Sequence, residues 1–479
     1  MNYRVLFYML GCILDFQAVF LLLPCIVALV YQEPVGWYFL YTAIGAGILG
    51  AALTVRRPKN TQMHSREGFV LVALGWITMS MISAFPLFIS GAIPNYIDAL
   101  FEIVSGLTTT GASILPTVED LPRCMNFWRC FSNWIGGMGV VVFMMTILPA
   151  IGSNGSMYLM RAESPGPSFG KLVPKLKKTA VLLYLMYIGL TLLQMILLLC
   201  GGLDFFDSLC VSIAAAGTGG FGIKNDGFSG YSSYVQVVVT IFMFLFGVNF
   251  KFYFLIIMRK FKEAIHMEEV RWYAILYILA TVLITVDVFH LMNGLGESLK
   301  HSAFQVASIM TTTGFATTDF NQWPIFSQTI LILLMFVGGC AGSTSGGVKV
   351  SRFIIYIKSA LKEIASLLHP SSVKKIKMDD KVIDHETIRS ANIYLIIYIL
   401  MIGISILLVS LNGFDLVTTM TSVIACTNNI GPGLGVVGPM GNFSSLSILS
   451  KLVLILDMLM GRLEIFPLIV LFFRDTWKR

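Results

Sequence analysis

Apolar residues gather along this chain in runs of two lengths, separated by short polar stretches. The long runs approach or exceed about 20 residues, the length a helix needs to cross bilayer hydrocarbon. The short ones are about half that. Runs over 5–31 and 37–55 come first, the second closed by Arg56-Arg57-Pro58-Lys59. The first is too long for the apolar part of a signal peptide and lacks a small-residue cleavage site, so it reads as a retained span. From there one order recurs four times: long run, short run, turn rich in small and polar residues, long run. The first copy has runs over 69–90, 98–107 and 127–149; the others occupy about 179–259, 272–368 and 388–473. A ten-residue apolar helix cannot cross, so each short run reads as a half-span that enters and returns, its non-helical end lining protein or water. The pattern predicts an all-α integral membrane fold of ten spans and four re-entrant half-helices. Two additional N-terminal spans fill 1–60. Four pseudo-symmetric repeats around one pore fill 61–160, 161–265, 266–378 and 379–479.

The four turns are Thr108-Thr109-Thr110-Gly111, Gly217-Thr218-Gly219-Gly220, Thr311-Thr312-Thr313-Gly314 and Asn428-Asn429-Ile430-Gly431. Thirteen residues before the last glycine stand Asp98, Asp207 and His301; the fourth copy is offset, with Asp415 sixteen before Gly431. Six before stand the small residues Ser105, Ala214, Ser308 and Ala425. This is a divergent internal repeat. A single such turn would be an ordinary connection at a membrane surface; four at matching positions point to a shared role. Four like segments around an axis can present rings of backbone carbonyls to a dehydrated ion. Aligning successive carbonyls requires positive φ at some residues, which glycine adopts without steric cost. The Thr hydroxyls either tie each turn to its surroundings or add oxygen ligands.

Composition agrees. The 479 residues are 56% apolar and 12% charged, outside the range of soluble domains. Eight scattered cysteines include no CxxC and no histidine at ligand spacing, which argues against a disulfide or zinc framework; Cys124 and Cys130 could pair, but nothing requires it. The net charge of +7 falls in loops between spans, which a membrane explains better than nucleic acid. Of 33 Lys and Arg, 26 lie on the side bearing Arg57, Lys178, Lys260, Lys374 and both termini. Four lie on the turn side (Arg123, Arg129, Lys224, Lys300) and three within spans (Lys251, Lys451, Arg462). The positive-inside rule then makes both termini cytoplasmic and opens the turns outward. An enzyme is disfavoured: there is no HExxH, no paired intramembrane acid and no Ser-Lys dyad.

The segments TTTGAS, TGGFG, SIMTTTGFATTDF and NNIGPGLG resemble the Trk/Ktr/HKT superfamily of potassium transporters. GGCAGSTSGGVKVSR from Gly338 to Arg352 and MLMGRLEIFPLIVLF near the end resemble its bacterial Trk-type uptake membrane subunits. The resemblance implies potassium uptake across the cell membrane (the inner one in a Gram-negative cell), with potassium as substrate and no cofactor. It also implies a selectivity filter made by the four turns, one pore per subunit, a homodimer, and a cytosolic nucleotide-binding regulatory subunit. In the superfamily, serine in place of the first filter glycine goes with sodium; Gly111 favours potassium. A sodium or mixed sodium/potassium transporter is the alternative. Asn428 and Asn429 stand where other turns have Thr, leaving their side-chain contribution open.

Two further stretches stand out. Gly338, Gly339, Gly342, Gly346 and Gly347, with Ser343, Thr344 and Ser345, interrupt what would otherwise be one apolar helix. Glycine costs about 1 kcal/mol relative to alanine inside a helix, so five in ten residues should break it. At membrane depth that is tolerated beside a cavity. The expectation, which the resemblance shares, is an intramembrane gating loop beneath the filter; close packing of helices on small residues is the alternative. A phosphate-binding loop is excluded because Val348 follows Gly347 where lysine is required. Arg462 lies within the apolar run 446–473, where a charge costs about 2.5–3.5 kcal/mol. By the resemblance it sits near the pore below the filter, as a barrier to cations; an ion pair with a residue such as Asp457 or Glu464 of another helix or subunit is the alternative. Asp98, Glu102, Asp207, Asp319 and Asp415 would either concentrate cations at the outer mouth or cap helices.

Overall fold

The computed structural model describes residues 1–58, 64–139, 176–292, 294–369 and 375–477. Helices α1 (Tyr3–Val30) and α2 (Gly36–Thr54) form the N-terminal hairpin. The first repeat follows as α3 (Ser65–Ile89), the short α4 (Tyr96–Leu107) and α5 (Arg123–Met138). The second comprises α6 (Leu176–Cys200), the short α7 (Phe205–Ala216), α8 (Ser233–Phe246) and α9 (Phe250–Ile257), before the five-residue α10 (Phe261–Ile265). The third comprises α11 (Glu268–Val288), α12 (Leu295–Met310), α13 (Ile325–Val337) and α14 (Val350–Leu368). After a small hairpin, β1 (Lys377–Met378) with β2 (Lys381–Val382), come α15 (His385–Ser410), the short α16 (Leu416–Thr427), α17 (Ile448–Arg462) and α18 (Phe466–Phe472).

Among the described residues six helices are long and apolar enough to cross a membrane: α1, α2, α3, α6, α11 and α15. Their outward faces carry side chains such as Val286 and Leu407, each 71% exposed, as a lipid-facing helix requires. The protein is a multi-pass helical membrane protein. The hairpin is fastened to the first repeat by the buried Gln17, whose amide donates to Met79 O (2.8 Å) and Ser83 Oγ (2.7 Å).

Ten spans were expected, with only the closing run of the third repeat interrupted, at its glycine-rich stretch, and here the structure differs. The closing apolar run of repeats two, three and four is broken in mid-course. Between α8 and α9 the chain bends by 92° at Gly247-Val248-Asn249, and Asn249 Oδ1 caps the new helix by accepting from Lys251 N at 2.9 Å. The chain leaves helix at Gly338 (φ 70°) and resumes it only after Lys349 (φ 80°). Glu464 (φ 52°) and Ile465 (φ 72°) separate α17 from α18. In the first repeat α5 stops at Gly139 (φ 75°); the rest of the run over 127–149 and most of the loop over 151–178, like Lys374, lie outside the described residues.

The helices that close each repeat pack in cyclic order. α5 lies on α7, α8 on α12, α13 on α16, and α17 on α4. The four short helices are thereby brought to one centre.

Candidate ion-binding turns and the loop beneath them

The start of the short helices corrects the repeat register. Asn95, Asp204 and Asp415 are the N-caps of α4, α7 and α16, each accepting a backbone N–H within its first turn (2.9, 3.3 and 3.0 Å). All three lie sixteen residues before the closing glycine. Asp415 is therefore in register, and the thirteen-residue position holds Asp98, Asp207, His301 and Thr418. The Thr418 hydroxyl and N–H hold the Asp415 carboxyl below its ordinary range, as suits a cap. α12 is longer, starting after Gly294.

The four C-terminal ends are alike atom for atom. The N–H of the third turn residue closes onto the carbonyl six before the glycine: Thr110 to Ser105 (2.8 Å), Gly219 to Ala214 (3.0 Å), Thr313 to Ser308 (2.8 Å) and Ile430 to Ala425 (2.9 Å). The second residue closes onto Gly106, Ala215, Ile309 and Cys426 at 2.9–3.2 Å. This is the Schellman pattern, which needs a left-handed residue just past the helix end. That residue is Thr109 (φ 56°), Thr218 (52°), Thr312 (55°) and Asn429 (55°). Asparagine suits this conformation; three β-branched threonines there are strained by about 1–3 kcal/mol each. Sequence reasoning gave positive φ to the glycines alone.

Gly111, Gly220, Gly314 and Gly431 are left-handed too, at φ 74–99°. Each lies against the neighbouring segment so closely that a Cβ would strike a carbonyl: Gly111 against Gly219 O, Gly220 against Thr313 O, Gly314 against Ile430 O, and Gly431 against Thr110 O, at 2.7 Å in the last case. Those oxygens belong to the third residue of each turn, taken in order, so the contacts close into a ring. Four helix C-termini, each with about half a negative charge, surround it.

The turn side chains act mainly as ties. Thr108 and Thr311 hydroxyls donate to the carbonyls four residues back (2.6 and 2.7 Å) and meet Thr110 and Thr313 hydroxyls at 2.8 and 2.7 Å. Asn428 does the same with its amide, Nδ2 donating to Ile424 O at 2.9 Å, while its Oδ1 accepts from Tyr398. Asn429 Nδ2 donates to Thr110 Oγ1 (3.0 Å), joining the last turn to the first. Thr218 donates to Gly217 O beside it.

On one side of the ring lies a cavity of about 150 Å³, bordered by all four glycines and the irregular segments that follow them. Its charged lining residues among those described are Arg129 and Lys224. Of the five acids expected at a cation-concentrating mouth, Asp415 is a cap and three others are engaged in bonds of their own. Asp98 pairs with Lys451 (2.7 Å), Glu102 with Arg129 (2.7 Å), and Asp319 accepts from Asn321 N and Gln322.

On the other side lies the glycine-rich loop over 338–349, pressed against the turns. Gly346 N donates to Thr312 Oγ1 at 2.6 Å, and a Cβ on Gly346 would meet Asn428 O and Asn429. Cys340 N bonds Gly247 O (3.0 Å), Gly342 O accepts from Phe250 N (3.1 Å), and Ala341 N bonds the buried Glu269 (2.6 Å). The break in α8–α9 thus cradles the loop. Gly338 and Gly347 are left-handed and in mutual contact, Gly339 abuts Ser345, Ser343 bonds Cys340 O, and Lys349 reaches back to Ser345 O.

Arg462, at the end of α17, joins these parts. It donates to Thr344 O (2.8 Å) in the loop, to Thr109 Oγ1 (3.1 Å) in the first turn, and to Gly136 O and Gly137 O (2.7 Å for the latter) near the end of α5. The two acids weighed as partners are committed elsewhere: Glu464 pairs with the buried Arg352, and Asp457 accepts from Ser405 at 2.7 Å. Arg352 also lies 4.2 Å from the Tyr394 ring centre. Lys349, Arg352 and Glu464 lie within the two quoted segments, but the contacts they make were not foreseen, and Glu269 stood in no motif.

Turns ringed by backbone carbonyls at the centre of a bundle of lipid-facing helices define a class: multi-pass membrane proteins with a central ring of backbone oxygens. Comparison with known proteins narrows it. The family model described as "TrkH: Cation transport protein" matches residues 38–478, and the chain belongs to that family. It is 35% identical to the Trk system potassium uptake protein TrkH of Escherichia coli K12, covering 100% of both chains. It is 34% identical to TrkG of the same strain, covering 99% of both. The crystal structure of the potassium transporter TrkH from Vibrio parahaemolyticus superposes with a TM-score of 0.89 at 29% identity, covering 100% of each chain.

Proposed function

We propose that the protein takes up potassium across the cell membrane through an axis ringed by the four turns. Each half-helix is re-entrant, entering from outside and ending at the membrane's centre, so that four pseudo-symmetric repeats enclose one pore. The observation that carries this reading is the closed ring of third-residue carbonyls, each held against a glycine where no side chain fits. Left-handed residues at the second and fourth positions turn successive carbonyls one way, and four helix C-termini supply negative potential for a dehydrated cation. Full-length similarity to proteins named for potassium uptake supports potassium as the ion.

The loop over 338–349 is the gate. Seated on Thr312 and the fourth turn, it obstructs the axis, and Arg462 holds it there while placing a positive charge below the ring. Opening requires the loop to leave Thr312 and Thr344 to leave Arg462. Both termini are cytoplasmic, the protein is a homodimer, and a cytosolic nucleotide-binding subunit acts on the loop. Rubidium influx into proteoliposomes, with sodium as competitor, tests the reading. Influx that sodium barely inhibits and that Gly314→Ala abolishes is expected. Comparable sodium flux would make the protein a mixed-cation transporter.

A further inference from the structure

The ring is held from behind at four junctions between consecutive repeats; the one between the fourth and first includes a part-exposed ion pair, Lys451–Asp98, and the one between the first and second is backed by a fully buried pair. Between the second and third, Phe228 N donates to Ala316 O (2.8 Å). Between the third and fourth, Gly435 N donates to Asn321 Oδ1 (3.0 Å). Between the fourth and first, Phe443 N donates to Ser113 O (2.8 Å). Between the first and second, Val118 N donates to Asn225 Oδ1 (2.7 Å), and Arg129, ion-paired within the first repeat to Glu102 with side chains 1% and 0% exposed, donates to Gly222 O (3.3 Å) of the second.

The repeat register makes the contrast sharper. Nine residues before the closing glycines stand Glu102, Val211, Gln305 and Ser422, all buried, and only the first carries a charge. Glu102 is heavily used. Its carboxylate accepts from Arg129 Nε (2.8 Å) and Nη2 (2.7 Å), from Ser113 Oγ (3.0 Å) and from Ile114 N (2.9 Å). Arg129 Nη1 donates to Asn126 Oδ1 (3.0 Å) and to Gly222 O (3.3 Å), and its guanidinium lies 4.4 Å from the Phe221 ring centre. Ser113 and Ile114 leave the first turn just after Gly111; Phe221 and Gly222 leave the second just after Gly220. One buried pair therefore grips the segments that follow two adjacent turns, beside the contact of Gly111 with Gly219 O. A buried ion pair is a poor way to gain stability, since well-packed apolar residues do as well or better. Directional bonds to four separate groups are what an apolar pair could not supply.

We propose that Arg129 and Glu102 are positioning residues for ion selection. They fix the spacing between the first and second turns so that the ring fits potassium and excludes sodium. The inference rests on the potassium-uptake reading above. Neither side chain touches the ion; both act through the segments they hold.

The test compares wild type with Glu102→Gln, Arg129→Lys and the milder Ser113→Ala, which removes one bond to the carboxylate and leaves the ion pair. Each is purified, checked for monodispersity and reconstituted; rubidium influx per folded protein is measured against increasing sodium. The expected result is that sodium inhibits Glu102→Gln and Arg129→Lys about tenfold more strongly than wild type, equivalent to about 1.4 kcal/mol of lost discrimination. Ser113→Ala should shift the same way by less. Should Glu102→Gln not fold, Arg129→Lys and Ser113→Ala carry the test. Folded variants that discriminate as wild type does, even with less protein recovered, would overturn the inference and leave potassium uptake standing. A wild type equally permeable to rubidium and sodium would overturn the uptake reading and this inference with it.

Discussion

Four side chains in the left-handed region at the ends of the short helices carry much of the chemistry, and they are not equivalent. Asn429 is at ease there; Thr109, Thr218 and Thr312 are strained. Two threonines have a use for their hydroxyls: Thr109 accepts from Arg462, and Thr312 accepts from Gly346 N in the loop. Thr218 bonds only its own turn among the contacts described. Thr218→Asn should therefore relieve strain and raise the melting temperature of the detergent-solubilised protein, by about 1 kcal/mol of stability. Thr312→Asn should relieve the same strain while loosening the loop, raising rubidium influx in the absence of any partner. Equal effects from the two substitutions would deny Thr312 its tie. These residues were not legible in the sequence because β-branched side chains disfavour positive φ. Threonine therefore pointed to ligands or ties, and glycine alone to backbone shape.

At the scale of elements, the short helices and their turns were legible, because a half-length apolar run followed by a small-residue turn recurs four times. The register was misjudged in one copy: counting to an aspartate found the fourth residue of the capped segment in two repeats and the cap itself in the last. The glycine-rich break after α13 was legible because five glycines in ten residues exceed what a helix tolerates. The break after α8 was not, because its apolar run has one glycine there, Gly247, and an isolated glycine is compatible with a continuous helix; the break after α17 did have a signal, Pro467 at the start of α18, which cannot continue a preceding helix. Those breaks have consequences. Glu464, turned out of helix after α17, pairs with Arg352 at the start of α14 and so ties the loop's exit to the fourth repeat. Removing one partner of a buried pair costs about 3–5 kcal/mol. Glu464→Gln should lower the melting temperature markedly, whereas a surface pair such as Lys260–Glu263 should be nearly silent when broken. Arg462→Ala removes the fork that binds the loop, the first turn and α5 together. Its expected signature is higher basal rubidium influx; unchanged influx with reduced protein would mark Arg462 as a structural tie only.

At the scale of the whole molecule, the cyclic packing of each closing helix on the next short helix explains how the chain builds a central site. Each contact orients one turn, and four such contacts leave no free end. The positive-inside rule predicts how the molecule is oriented. With 26 of 33 basic residues on one side, a cysteine introduced beside Arg57 should react with a membrane-impermeant thiol reagent only from the cytoplasm, and one beside Lys224 only from outside.

The central claim is that dehydrated cations sit on the axis between the carbonyls of Thr110, Gly219, Thr313 and Ile430. Anomalous diffraction from crystals grown in rubidium tests it most directly. The account predicts an anomalous peak on that axis, within coordination distance of all four oxygens, and its loss in Gly314→Ala. Rubidium bound elsewhere in the protein, with the ring unoccupied while the same preparation transports rubidium, would contradict it.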